Sequence, residues 1–333
     1  MNLNLSKYDS SKRLVYIDIF RAFGIICMVM GHIGFGGLFD KFIHSFHMPM
    51  FFVISGMFFK EKSVESTLNY IKMKAKKLLI PYFSLGIIQY VIWQYISYPK
   101  WNIVLLKNLF FVNTNELAIA GALWFLTALF WADILYFIIR KYIKNKKKYI
   151  SLIILLAIIG NMENTIIPFK LPYSLGAAFV GVGLLHIGWC LYNIHNVTMI
   201  FNMNIKKIIV LLIGTIVLIF LNGNVNMRLG QYSIVPLFWI NAILATVVGI
   251  NLCKILEEKN FKFGLKRLSY IGQNSIVYVC LNQLTIIFVT CLIGKYILPK
   301  IIYKIIVLVI TMILLRVEAI ILLNSKLKFL FGK

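Results

Sequence analysis

Seven ionisable side chains interrupt otherwise apolar stretches of this 333-residue chain: Asp18, Arg21, His32, Asp133, His186, Arg316 and Glu318. Charge inside an apolar stretch is costly, so each is a candidate for function. His32 lies eleven residues after Arg21. At about 100° per residue the two share a helix face, about 16 Å apart along the axis. One face would then carry a fixed cation and, further along, an imidazole suited to proton transfer. A turn near residues 39–40 puts His47 seven residues beyond Asp40 and His32 eight before it. If both limbs are helical, the two histidines sit at similar depth; His47 then positions a substrate or is structural. Asp40 and Glu116, in outer loops, are carboxylates that can orient His32. The chain has no G-x-S-x-G, P-loop, H-E-x-x-H or G-x-G-x-x-G before a helix, which removes the motif-bearing hydrolases, nucleotide binders and zinc proteases from view.

These residues need elements to hold them, and composition says which. Apolar residues are 60% of the chain, charged residues 14%, and the mean hydropathy is +0.85. A soluble domain is roughly 45–50% apolar, and a bilayer-spanning helix takes about 20 apolar residues. The expected fold is therefore all-α: a polytopic membrane bundle in one integral-membrane domain, 1–333. Ten apolar runs can be drawn, at 14–33, 42–59, 78–97, 117–139, 149–168, 173–192, 205–221, 233–255, 270–293 and 300–323. The first follows a polar N-terminus, carries Asp18 and Arg21 and lacks a small-residue cleavage site, so it reads as a retained span. Cys27, Cys190, Cys253, Cys280 and Cys291 sit in or beside apolar runs without a C-x-x-C. They read as small buried residues, and no metal site is expected.

The net charge of +24 in so apolar a chain points away from nucleic acid. Ten spans put 25 of the 35 Lys and Arg on the side of both termini and eight on the other. That is the positive-inside distribution, with cytoplasmic termini. Asp18, Arg21, Asp133, Arg316 and Glu318 then fall in the cytoplasmic half, and His32 in the outer half. The five charges read equally as structural ion pairs between helices and as a polar cavity open to the cytoplasm.

The run from Tyr16 through Asp18 and Arg21, then Gly31-His32, then Ser45-Phe46-His47-Met48-Pro49 with Phe51, Phe52, Ser55 and Gly56, resembles the opening of the membrane-bound acyltransferase 3 family. The similarity continues at Lys76-Lys77 with Pro81-Tyr82, at Leu123-Trp124-Phe125-Leu126 with Phe130, and at Tyr270, Gly272, Asn274 and Ser275. It spans nearly the whole chain and is similar to the ten-span polysaccharide O-acetylase branch. Two departures stand out. The family's R-x-x-R pair is Lys74 and Lys77 here, which keeps the charge and loses bidentate geometry. Asn282 stands where many relatives carry histidine.

The resemblance implies an O-acyltransferase of a bacterial cell membrane. Its donor would be acetyl-CoA or another short acyl-CoA on the cytoplasmic side, with no permanently bound cofactor. Its acceptor would be a hydroxyl of a cell-surface or lipid-linked glycan. His32 matches the family's catalytic histidine, and Arg21 the basic residue that precedes it. Arg21, Lys74 and Lys77 would bind the coenzyme A phosphates. Asp18, His47, Asp133, Arg316 and Glu318 would be supporting polar groups. For the lysines, topology and anionic lipid are the competing reading. The rival function is a polysaccharide exporter or transporter. Broken Gly- and Pro-rich helices in matching halves would favour it, and no half-to-half repeat is evident in the sequence.

Overall fold

The computed structural model describes residues 13–60, 66–97, 101–111, 118–167, 171–193, 200–259, 262–294 and 299–333. Lys7, Lys12 and Glu116 lie outside them. Among the described residues, thirteen α-helices of more than one turn carry the fold: α1 (Val15–Ile33), α2 (Gly37–His44), α3 (Pro49–Met57), α4 (Thr67–Ser97), α5 (Ile103–Phe111), α6 (Trp124–Tyr142), α7 (Lys146–Asn161), α8 (Leu175–Asn193), α9 (Ile205–Asn222), α10 (Val235–Glu258), α11 (Lys262–Gln273), α12 (Ser275–Ile293) and α13 (Lys300–Asn324). Short single-turn helices fill some of the connections. A helix satisfies all its backbone groups internally, which is what hydrocarbon demands.

Eight helices among the described residues are long and apolar enough to cross a bilayer. Two of the ten expected runs are built differently. The seventh helix has 16 residues. The crossing expected over 42–59 is broken into α2 and α3 by a turn at residues 45–48, with Pro49 at the first turn of α3. Proline fits there because its missing N–H is unneeded. The turn expected near residues 39–40 is a correction: both residues are helical, and the chain reverses earlier. Gly34 caps α1 in the left-handed conformation at φ 76°, which glycine adopts at little cost.

Contacts between helix ends sort them into two groups. At one end, Tyr16 N–H bonds to Glu257 of α10 at 3.1 Å, and Lys333 bonds to Asn274 at the start of α12 at 2.9 Å. At the other, Lys41 of α2 bonds to the carbonyl of Phe220 at the end of α9, and Lys304 of α13 to that of Gly34. Asn164, just past α7, bonds to Leu229 at 2.6 Å in the connection between α9 and α10. Arg13 and Lys333, the first and last described residues, therefore share one end, as an even number of crossings requires. The basic segment expected over 60–77 is largely helical, because α4 begins at Thr67 and projects Lys72, Lys74, Lys76 and Lys77 beyond the apolar run.

Buried aromatic rings fill the centre, with Phe52, Tyr82, Tyr136, Phe238 and Tyr278 fully enclosed. Helices α9 and α13 instead present rows of exposed aliphatics, among them Val210, Ile213, Ile313 and Ile321. In a soluble protein such a surface would aggregate; here it is the lipid-facing side.

Candidate functional site

The outer end holds a polar cavity of about 190 Å³, lined by His32, His44, His47, Trp124, Asn226 and Arg228 among others. His32 comes from the last turn of α1. Gly31 beside it lets α2 close in: a Cβ there would lie 3.0 Å from Ile43 and 3.5 Å from the His44 ring. The His44 and His47 rings meet edge to face at 5.0 Å. Each bonds through Nδ1 to a carbonyl four residues back, Asp40 and Ile43, at 2.7 Å. A carbonyl only accepts, so Nδ1 carries the proton in both rings and Nε2 keeps the lone pair.

His32 is the opposite case. The backbone N–H of Ala122 donates to Gln283 Oε1 at 3.2 Å. That fixes the amide so that Nε2 donates to His32 Nδ1 at 3.3 Å. The network therefore assigns the lone pair of neutral His32 to Nδ1. The side chain orienting His32 is this amide from α12. Asp40 enters the site through its backbone carbonyl, which holds His44.

Arg21 and Asp18 sit near the other end of α1. Asp18 is 2% exposed and lies between two arginines: Arg13 Nε at 2.6 Å and Arg21 Nη1 at 3.6 Å. The Arg21 guanidinium also stands over the Phe58 ring at 5.7 Å. Lys74 and Asp133 meet at 2.6 Å, with Ser55 donating to the same carboxylate at 3.4 Å. Lys77 is exposed, one helical turn further along α4. Arg316 lies over the Tyr270 ring at 5.8 Å, and Thr285 donates to Glu318 at 3.1 Å. Of the inner charges, Asp133 is in a helix-to-helix ion pair with Lys74, while Arg21 keeps a partly exposed head.

Because Asp133 is 2% exposed, the Lys74 pair has a measurable signature. Replacing Lys74 with alanine leaves a buried carboxylate unmatched, at a cost of about 3–5 kcal/mol. Lys74→Ala combined with Asp133→Ala is expected to recover most of that loss in a thermal-unfolding cycle. Additive losses would show that the two groups do not interact.

The structure thus places His32 and His47 in one cavity and pairs Arg21 with Asp18 and Lys74 with Asp133, while Arg316 lies on Tyr270, Glu318 accepts from Thr285 and Lys77 is exposed. Sequence reasoning missed three contributors. His44 stands three residues before His47. Arg228 is the one arginine among the eight outer cations, a signal that was readable. Gln283 had only its place beside Asn282 to mark it. Among the described residues no three His, Cys, Asp or Glu side chains converge as metal ligands would.

The cavity has what a proton transfer to or from an incoming hydroxyl requires: an exposed imidazole with fixed orientation and space beside it. The model of a family described as an acyltransferase domain matches residues 14–317. No curated protein and no solved structure was found to match the chain.

Proposed function

Since the chain belongs to the acyltransferase 3 family and is a multi-pass membrane protein, we propose that this acyltransferase acetylates a glycan. The donor is acetyl-CoA or another short acyl-CoA from the cytoplasm. The acceptor is a hydroxyl of a cell-surface or lipid-linked saccharide, and the setting is a bacterial cell membrane. The observation that carries this reading is the His32 ring, exposed within a polar cavity and oriented by Gln283.

Arg21 holds negative charge of the donor at the inner end, with Asp18 fixing its guanidinium. Lys77, exposed on α4, adds charge there, and Lys74 does so at the expense of its bond to Asp133. The acyl thioester reaches the outer half of α1. An acceptor hydroxyl takes the place of the Gln283 amide at His32 Nδ1 and gives up its proton as its oxygen attacks the acyl carbon. The carbon–sulfur bond breaks, and His32 returns the proton to the departing thiolate. Each cycle forms one ester and one free coenzyme A thiol. His47 shapes the acceptor side through its free Nε2. Membrane lipid surrounds the bundle, and residues 1–333 act as one integral-membrane acyltransferase domain.

The test is to incubate membranes with acyl-labelled acetyl-CoA and recover the glycan fraction. Label in glycan that mild alkali releases as acetate is the expected result. Coenzyme A release with no label in glycan would sink the acceptor assignment.

A further inference from the structure

Arg228 has no part in the scheme above, yet the protein holds it in place with unusual care. It belongs to the outer connection between α9 and α10, residues 223–234. Asn226 and Gln231 form an antiparallel bridge with backbone bonds of 2.7 and 3.0 Å. The Asn226 side chain accepts from Leu229 N–H at 3.2 Å. Asn164 donates to the carbonyls of Leu229 and Gly230 at 2.6 and 3.1 Å. Ser233 donates to the Asn224 carbonyl at 2.6 Å, and Ile234 N–H to Asn222 at 2.9 Å. Gly230 turns the chain at φ 67°. A loop fixed this way presents its side chains with little ordering entropy left to lose on binding.

Arg228 lines the His32 cavity. A Cβ added to Gly121 would lie 2.7 Å from Arg228 Nη1 and 3.0 Å from Gln283 Nε2. The guanidinium and the amide that orients His32 thus both close on Gly121. Burial lowers the guanidinium below its ordinary value, and an arginine still keeps its charge. Among the described residues the cavity lining holds three imidazoles and one guanidinium. The charge in this lining is the Arg228 guanidinium, whose fork matches carboxylate or phosphate.

We propose that Arg228 binds an anionic substituent of the acceptor, so that the substrate class is an acidic saccharide whose hydroxyl is thereby set beside His32. This rests on the reading of the site as an O-acyltransferase centre. The donor's phosphates belong to the Arg21 end of α1, about 16 Å from His32 along the axis, and Arg228 lies at the His32 end. At about 190 Å³ the cavity is smaller than the roughly 300–1,000 Å³ of a drug-sized pocket. It fits one sugar residue with its charged group, the remainder of the glycan extending outward.

The full chain in lipid nanodiscs tests this with glucuronic acid, glucose 6-phosphate and glucose as both ligands and acceptors. At least one acidic sugar should bind about tenfold or more tightly than glucose, and the two acidic arms tell carboxylate from phosphate. Arg228→Gln should erase that preference while glucose binding is unchanged, and Arg228→Lys should keep part of it. Equal binding of all three sugars to the parent protein would overturn the proposal. So would an Arg228→Gln variant that loses transfer to acidic and neutral acceptors by the same factor, the mark of a group acting on the acyl carbonyl. Acid-selective binding without transfer of labelled acetyl would keep the anion site and remove the O-acyltransferase reading. Transfer without charge preference would do the reverse.

Discussion

With His32 replaced by alanine, label from acetyl-CoA in the glycan fraction falls by about 10²–10⁴-fold, the range a positioned general base supplies. The folded protein remains in the membrane at the parent's level. The separation of the two effects follows from where the ring lies. His32 is exposed at the end of α1, and its hydrogen bond is to Gln283 across the cavity. Removing it opens no core void, so little packing energy is lost. What is lost is the group that accepts the hydroxyl proton. The measurement is label per unit of folded protein, judged by detergent size-exclusion profile. A fall of less than about tenfold would remove His32 from the reacting centre.

The largest structural effect is expected where α3 crosses α8. A Cβ at Gly188 would lie 1.9 Å from the carbonyl oxygen of Val53, and one at Gly56 would lie 1.9 Å from that of Leu185. The two backbones are thus in direct contact through reciprocal glycines. Between helices in lipid, close approach and van der Waals contact supply the association that water exclusion supplies elsewhere. Gly188→Ala or Gly56→Ala pushes on a carbonyl that no rotamer change can move, so the helices must separate. The expected cost is at or above the upper end of the roughly 1–3 kcal/mol seen for overpacking. The same displacement moves the start of α3 and, through the turn at residues 45–48, His47. Gly214→Ala on α9 is the control, because a Cβ there meets nothing within 4 Å. A Gly188→Ala protein melting within about 2 °C of the parent would show that the crossing is not tight.

Much of this was legible before any coordinates. Arg21 and His32 share one helix, so their eleven-residue spacing fixed their relation. The run around His47 and Pro49 marked the second crossing, though its hydropathy hid the break into α2 and α3. A turn of four residues inside an apolar stretch leaves no gap in a window as long as a span. The apolar run at 149–168 marks α7, whose 16 residues fall short of the eight span-length helices. The resemblance marks Lys74 as a donor ligand; that it faces Asp133 depends on how α4 rotates against α6, which no pattern within α4 states.

The sequence by itself determined the class of the protein, an all-α polytopic membrane bundle, and the two ends of α1 where chemistry is to be sought. Hydropathy and basic charge act on each segment separately, through its contact with lipid or with the membrane surface, so a single chain suffices to read them. Tertiary structure alone decided the company His32 keeps. Gln283 is 251 residues away, and Arg228 is held by a connection anchored on Asn164. Contacts of that range arise from helix packing, which brings segments far apart in the chain to one end of the bundle.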